Sequence, residues 1–442
     1  MGRDLAPNDL FRQARRRIPS PSGAPRPMSR QELAETVNTH LWRQHRISEN
    51  LSAEDIGRIE RGQTRWPRKW RRVGCRAVLG ATCDTDLGFY FHRTTPARAE
   101  PPGEADAGYE PGEWSSGGEL LAPVRRTVVA RSWSQRCQPP QLAPAEITAK
   151  VHSAHEAYQR ADYTTASTLL PVTITAAEQL AHPGTGGQHH QAHRLLALAQ
   201  IAASKLAAKL GDSALALVTA DRAGCSALLA QDGTLAAAAA CQTARALLQM
   251  PGRVGEAAQA IAAAREDLLR GGGTADPVNL SLRGALALLA AIAAARQADR
   301  AGARQHLDSA TGLACELGRD GNHLWTGFGP VNCQIHKVGV AVALGDRRQA
   351  LSVGERLDTT MLPPPLLSRR AQVHIDLAAA LAHTADDDAA AVLHLLAVER
   401  IAPQLIGVSS SCRAVIGQLI GRERRAATPQ LRRLAHRAGV LR

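Results

Sequence analysis

Apolar residues along this chain recur at three- and four-residue intervals, the spacing that lines one face of an α-helix. The clearest case follows Ser29, Arg30, Gln31 and Glu32, a capping box in which the serine hydroxyl and the glutamate carboxylate each satisfy a free backbone amide. A helix therefore starts at Arg30, with Leu33, Ala34, Val37 and Leu41 as its buried stripe and Trp42 as its furthest extension. A second start lies at Ser52, with Asp55 three residues on, Ile56 and Ile59 inward, and Gly62 suited to the left-handed terminating position. That short helix leaves Ala53, Glu54, Asp55 and Arg58 facing outward. A further helix over 70–79 closes the core with Val73, Ala77 and Val78, and Asn8 caps an earlier one through Arg17, with Leu10, Ala14 and Arg17 along one side. The prolines between 19 and 27 make that stretch a connector.

From 94 to 144 the periodicity fades into Pro, Gly, Glu and Ser, which predicts a flexible linker, with 124–130 as a short helix or strand able to dock on a neighbour. From Ile147 onward helices alternate with small turns, as at Ala161-Asp162, Gly211-Asp212, Gly252-Arg253, Ala298-Asp299, Gly345-Asp346 and Ala385-Asp386. These turns lie roughly 40–50 residues apart, longer than a minimal tetratricopeptide unit, so long loops between units are expected. The fold expected is all-α: a helix-turn-helix bundle over 1–93, a tether over 94–144 and a tetratricopeptide-like α-solenoid over 145–442.

Composition agrees, since 44% of residues are hydrophobic but only 3% aromatic, leaving Ala, Leu and Val to pack the helices. Charge sharpens the picture. The net charge is +13, and residues 1–80 hold seventeen Lys and Arg against eight Asp and Glu, so this stretch alone carries +9. Such a concentration suits a phosphate backbone. The eight cysteines have no short paired spacing, which predicts reduced thiols rather than zinc or disulfides. No apolar stretch resembles a signal peptide, and none approaches the roughly 18 residues of a membrane span. A cytoplasmic protein with no membrane partner is expected.

The N-terminal pattern resembles the Xre-type, lambda-repressor-like helix-turn-helix regulators, especially the actinobacterial group with a tetratricopeptide-like C-terminal region. Residues 29–35 (SRQELAE) resemble that family's second helix, 56–62 (IGRIERG) with 65–67 (RWP) its recognition helix and exit, and 77–81 through 87–89 its closing helix and tail. The long connection over 39–51 matches the same subgroup. The resemblance implies a sequence-specific DNA-binding transcription regulator, homodimeric on double-stranded DNA. In the ordinary docking geometry the second helix of the pair enters the major groove. Ser52, Ala53, Glu54, Asp55 and Arg58 are then the candidates for base readout, the acids accepting from cytosine amino groups or merely complementing the helix dipole. Arg30, Gln31, Arg61, Arg65, Arg68 and Lys69 are candidate backbone contacts, and Glu60 is expected to pair within the domain.

In the C-terminal region Phe328, Asn332 and His336 are candidates for an effector groove, with Phe328 as an inter-helix staple and Asn332 as a helix cap the competing reading. His182, His189, His190 and His193 cluster near 184–187, but no carboxylate or cysteine accompanies them and no metal is expected. The glycines there lack the following Lys-Ser/Thr of a phosphate loop. The basic tail after 421 either caps the array or touches DNA. Neither a partnered nucleophile nor a cofactor fingerprint is present, so no enzyme and no cofactor are expected. The effector, a peptide, small molecule or protein, would bind the repeats. The alternative is an interaction scaffold without specific DNA binding.

Overall fold

The computed structural model describes residues 7–23, 25–45, 47–64, 67–81, 84–89, 117–129, 142–182, 186–272, 275–423, 428 and 430–441. Among these the chain is helical throughout, with a single isolated bridge between Pro19 and Pro27. It divides into two compact units, 1–108 and 109–442.

The N-terminal unit is built from the helices Asp9–Arg17, Arg30–His45, Ala53–Glu60 and Lys69–Leu79. Asn8 caps the first, its Oδ1 accepting from Phe11 N at 3.1 Å. The inward residues there are Phe11 and Arg15 rather than the Leu10, Ala14, Arg17 row, and Leu10 is 53% exposed. Phe11 decides the rotation, because its ring packs on Phe89 at 5.4 Å between centroids. The capping box at Ser29 forms, with Ser29 N donating to Glu32 Oε2 at 2.7 Å. Much of the long connection is absorbed by helix, which runs on to His45. The remaining loop is pinned by Asn38, whose side chain donates to Leu51 O at 2.9 Å and accepts from Leu51 N at 3.1 Å. The last helix buries Gly74 and Cys75, with Val78 at the margin and Ala77 exposed. A Cβ on Gly74 would sit 2.7 Å from Val37, so two helices meet through a glycine and the inward face turns accordingly.

In the C-terminal unit the stretch expected as tether holds the helix Gly117–Val129, whose Leu121, Val124 and Val128 are buried in the same core as the helices that follow. Three apolar residues at three- and four-residue spacing suffice to dock it, which is the helical reading of 124–130. Successive helices then pack on one another from Pro144–Gln159 to Leu431–Arg437.

The turns explain the small-residue-then-Asp pattern. At Ala161, Gly211, Gln231, Ala298 and Gly345 φ is positive, from +54° to +88°. The following aspartate closes one helix with its amide, as in Asp162 N to Ala157 O at 2.9 Å, and opens the next with its carboxylate, as in Thr165 N to Asp162 Oδ1 at 3.1 Å. Asp212, Asp232, Asp299 and Asp346 do the same. Each cap of this kind is worth about 1 kcal/mol. Gln231-Asp232 fills a gap in the sequence pattern, and many connections span only three residues, such as 210–212 and 297–299. Long inter-unit loops are therefore not the rule. Long helices take up the spacing, Gly186–Lys209 alone having 24 residues. Ala385-Asp386 departs from the series by starting a 3-10 turn.

The end of this unit meets its beginning. Gln404 Oε1 accepts from Tyr163 N at 2.9 Å, and Gln159 and Asn322 exchange side-chain hydrogen bonds at 2.8 and 2.9 Å. The basic tail pairs within the unit, Arg432 with Glu423 and Arg433 and Arg437 with Glu399, while Leu431 and Leu434 are buried. Among the described residues one helix, Pro277–Arg296, is long and apolar enough to cross a membrane, but most of it is core.

Candidate functional site

The helix Ala53–Glu60 is fixed at both ends. Ser52 and Asp55 form a reciprocal capping box, Asp55 N donating to Ser52 Oγ and Ser52 N to Asp55 Oδ2, both at 3.2 Å. Asp55 also meets Arg71 at 3.4 Å. Despite some burial, these hydrogen bonds and the nearby guanidinium hold its carboxyl below the usual range. At the other end Glu60 is fully buried and takes two guanidinium groups, Arg15 at 2.7 Å and Arg30 at 2.6 Å. Glu60 pairs within the domain, as expected, and ties together three helices.

This architecture sorts the candidate DNA contacts. Ser52 and Asp55 are occupied in capping, and Glu54, though exposed, is paired with Arg61 at 2.5 Å. Arg30 is committed to Glu60 through Nε and one terminal nitrogen, and Gln31 donates to Glu35 at 2.6 Å. Ala53 sits partly exposed beside Ser52. Arg58 is exposed and has no ion-pair or hydrogen-bond partner for its side chain among the described residues, and the same holds for Arg68. Arg65 lies outside the described residues, and Lys69 opens the last helix with its side chain likewise outside them. Sequence reasoning missed Arg16, Arg17 and Arg43, which are also exposed and unpaired among the described residues. The signal for them was the density of arginine in the first helix.

The three C-terminal candidates separate. Phe328 is fully buried among Leu280, Leu288, Leu313 and Cys333, and a Cβ on Gly284 would fall 2.0 Å from its ring. It is a staple between helices and no part of a groove. Asn332 does not cap its helix. Asp320 does, accepting from Val331 N at 3.1 Å and Asn332 N at 3.3 Å, which leaves the buried Asn332 Oδ1 without a partner. His336, one turn further on, lies 3.4 Å from Arg369, and burial, reinforced by Arg369 and Arg245, keeps it neutral.

His336 leads into a cluster that no sequence motif announced. Lys205 and Lys209 on Gly186–Lys209, Arg245 on Gly233–Gln249, and Arg369 and Asp376 on Leu367–Leu381 act on one another electrostatically. Lys205 is 8% exposed, and burial together with the two arginines brings its ammonium down to about 7. Burial and Arg369 bring Lys209 down to about 8, while burial raises Asp376 to about 7 against its hydrogen bond from Gln372. Protein surrounds Lys209, Arg369 and Asp376, yet part of each remains open to solvent. None of the four cations belongs to an ion pair among the described residues.

Beside them runs a strained turn. Leu324 and Trp325 have φ of +46° and +53°, a conformation that costs a non-glycine residue about 1–3 kcal/mol and concentrates at functional sites. Lys205 Nζ donates to Trp325 O at 3.2 Å, Gln159 Nε2 donates to the same oxygen at 3.3 Å, and His155 stacks on the indole at 3.9 Å. The histidine cluster near 184–187 places His189 and His193 edge to face at 4.3 Å, and no group of three or more metal-ligating residues occurs among the described residues. No family model, no curated protein and no solved structure matches this chain, so its function rests on the side chains just described.

Proposed function

We propose that the protein is a sequence-specific DNA-binding transcription regulator, with a helix-turn-helix in its N-terminal unit and a tetratricopeptide-like array in its C-terminal unit that binds an effector. The observation that carries the reading is Arg58: an exposed, unpaired arginine on a short helix locked at one end by a capping box and at the other by buried Glu60. A pre-set arginine of this kind suits bidentate contact with guanine in the major groove. Arg16, Arg17, Arg43 and Arg68 supply positive charge of the sort that positions a protein on phosphates without reading sequence. Homodimerisation and a cytoplasmic location belong to the same reading. The repeated left-handed-residue-then-Asp turns support the array.

The test is binding of the full chain to DNA from around its own gene, across a salt series. Selective binding that weakens steeply with salt, and weakens about 10- to 100-fold in Arg58→Ala, is the expected result. Equal affinity for its own upstream region and for random DNA would overturn it and favour the scaffold, which predicts neither selectivity nor salt dependence.

A further inference from the structure

Four cations and one carboxylate share the interior of the C-terminal unit, a formal surplus of three positive charges if all are ionised. Buried lysine and arginine are kept almost only where something pairs with them. Here the carboxylate among them, Asp376, pairs with none of them and is held by Gln372 at 2.9 Å. The unit is well able to satisfy its other charges, as the pairs of Arg422 with Asp388 and Arg432 with Glu423 show. The surplus is therefore a local feature of this cluster. One further observation points the same way: the strained Trp325 turn is tethered to Lys205.

We propose that this cluster binds a small phosphate-bearing anion, held between Lys205, Lys209, Arg245 and Arg369. A single carboxylate would leave most of the surplus uncompensated and presents its acceptors in one plane. A phosphate group brings about two negative charges and a tetrahedral set of acceptors, which groups converging from three different helices can approach together. Enclosure by protein excludes a nucleic-acid duplex, so this is a different anion from the one read by the N-terminal unit. The inference names the chemical class of the effector and so rests on the C-terminal unit being a sensor, though not on DNA binding.

The test is thermal unfolding of the full chain, followed by helical circular dichroism, with inorganic pyrophosphate titrated at constant ionic strength. The expected result is a saturating rise of a few degrees, the signature of a ligand that binds only the folded state. Arg369→Gln and Arg245→Gln are each expected to abolish that rise and, by relieving like-charge repulsion, to unfold without pyrophosphate at or above the wild-type temperature. Citrate distinguishes the source of charge, and a citrate shift exceeding that of pyrophosphate overturns the phosphate class. No rise in the wild type, or an equal rise in both variants, overturns the site altogether. If one variant does not fold, the other carries the comparison. The outcome is independent of the regulator reading: a pyrophosphate-dependent shift in a chain that ignores DNA sequence leaves the site standing and removes the regulator, and the converse result does the reverse.

Discussion

Each unit buries a cluster of charge, and the two clusters are built differently. In the N-terminal unit the single carboxylate of Glu60 faces two guanidinium groups at 2.6 and 2.7 Å, and Arg15 spends a further donor on Met28 O at 2.5 Å. Donors and acceptors match, and three helices are fastened together. In the C-terminal interior the carboxylate of Asp376 is outnumbered four to one, and the cations are held apart rather than paired. Desolvated ions that pair with good geometry lock a fold, whereas unpaired ones oppose it until something from outside completes them. The first cluster is complete within the chain. The second is shaped to be completed by a ligand.

The comparison breaks most visibly at Glu60. Replacing it by Ala strands two guanidinium groups and is expected to cost the N-terminal unit about 3–5 kcal/mol, read as an early unfolding transition and loss of DNA binding. The matching change in the other unit, Asp376→Asn, is expected to leave stability at pH 8 equal or higher. Burial raises the folded-state pKa of Asp376, so its stabilising contribution is complete below the unfolded carboxyl value and is lost as pH rises toward about 7, a loss the amide escapes. A drop comparable to that of Glu60→Ala would make Asp376 a second staple and erase the contrast.

Phe328→Ala separates the wall of the C-terminal unit from its lining. It is expected to cost about 3–5 kcal/mol in urea unfolding, while the fold-change in pyrophosphate affinity stays near one. A large affinity loss beyond that of the stability change would return Phe328 to the site.

A smaller effect should appear in pH. Lys205 and Lys209 have folded-state pKa values below the ordinary lysine value, so the stability they contribute is present at high pH and is lost as pH falls, toward about 8 for Lys209 and about 7 for Lys205. Between pH 7 and 8.5 the melting temperature of the free chain should therefore rise with pH, a slope that pyrophosphate should flatten by keeping both ammonium groups charged. Asp376, half ionised at about pH 7, opposes the trend at the lower end of that window and no longer does so by its upper end. The thiols of Cys75, Cys241, Cys333 and Cys412, all raised by burial, begin to oppose the trend at the upper end of that window, where unfolded cysteines start to ionise, so the rise is steepest in its middle. A flat wild-type profile would mean that the lysines are not coupled to folding. The smallest change is Asp212→Ala, which removes one cap between helices and should cost about 1 kcal/mol in urea unfolding without altering the pyrophosphate response.

Local features of the fold were readable because each depends on residues a few positions apart. The capping boxes at Ser29 and Ser52, the cap at Asn8 and the turns ending in Asp162, Asp212, Asp299 and Asp346 are all closed by bonds within five residues of the polar residue that signals them. The rotation of individual helices was less so. Gly74 and Phe11 set the inward faces through contacts with Val37 and Phe89, partners that no local period identifies.

By itself the sequence determined the helical elements, most of their ends, the concentration of positive charge before residue 80 and the outward placing of Arg58, while its lack of a partner came from the structure. Only the tertiary structure decided that Phe328 is a staple, that Asp320 rather than Asn332 caps the helix carrying His336, and that Lys205, Lys209, Arg245 and Arg369 share one interior. The physical reason is range: caps and periods are written within a turn or two of helix, whereas those four cations span 205–369. Each reads alone as an ordinary solvated residue until the last helices of the unit close against the first and bring them together.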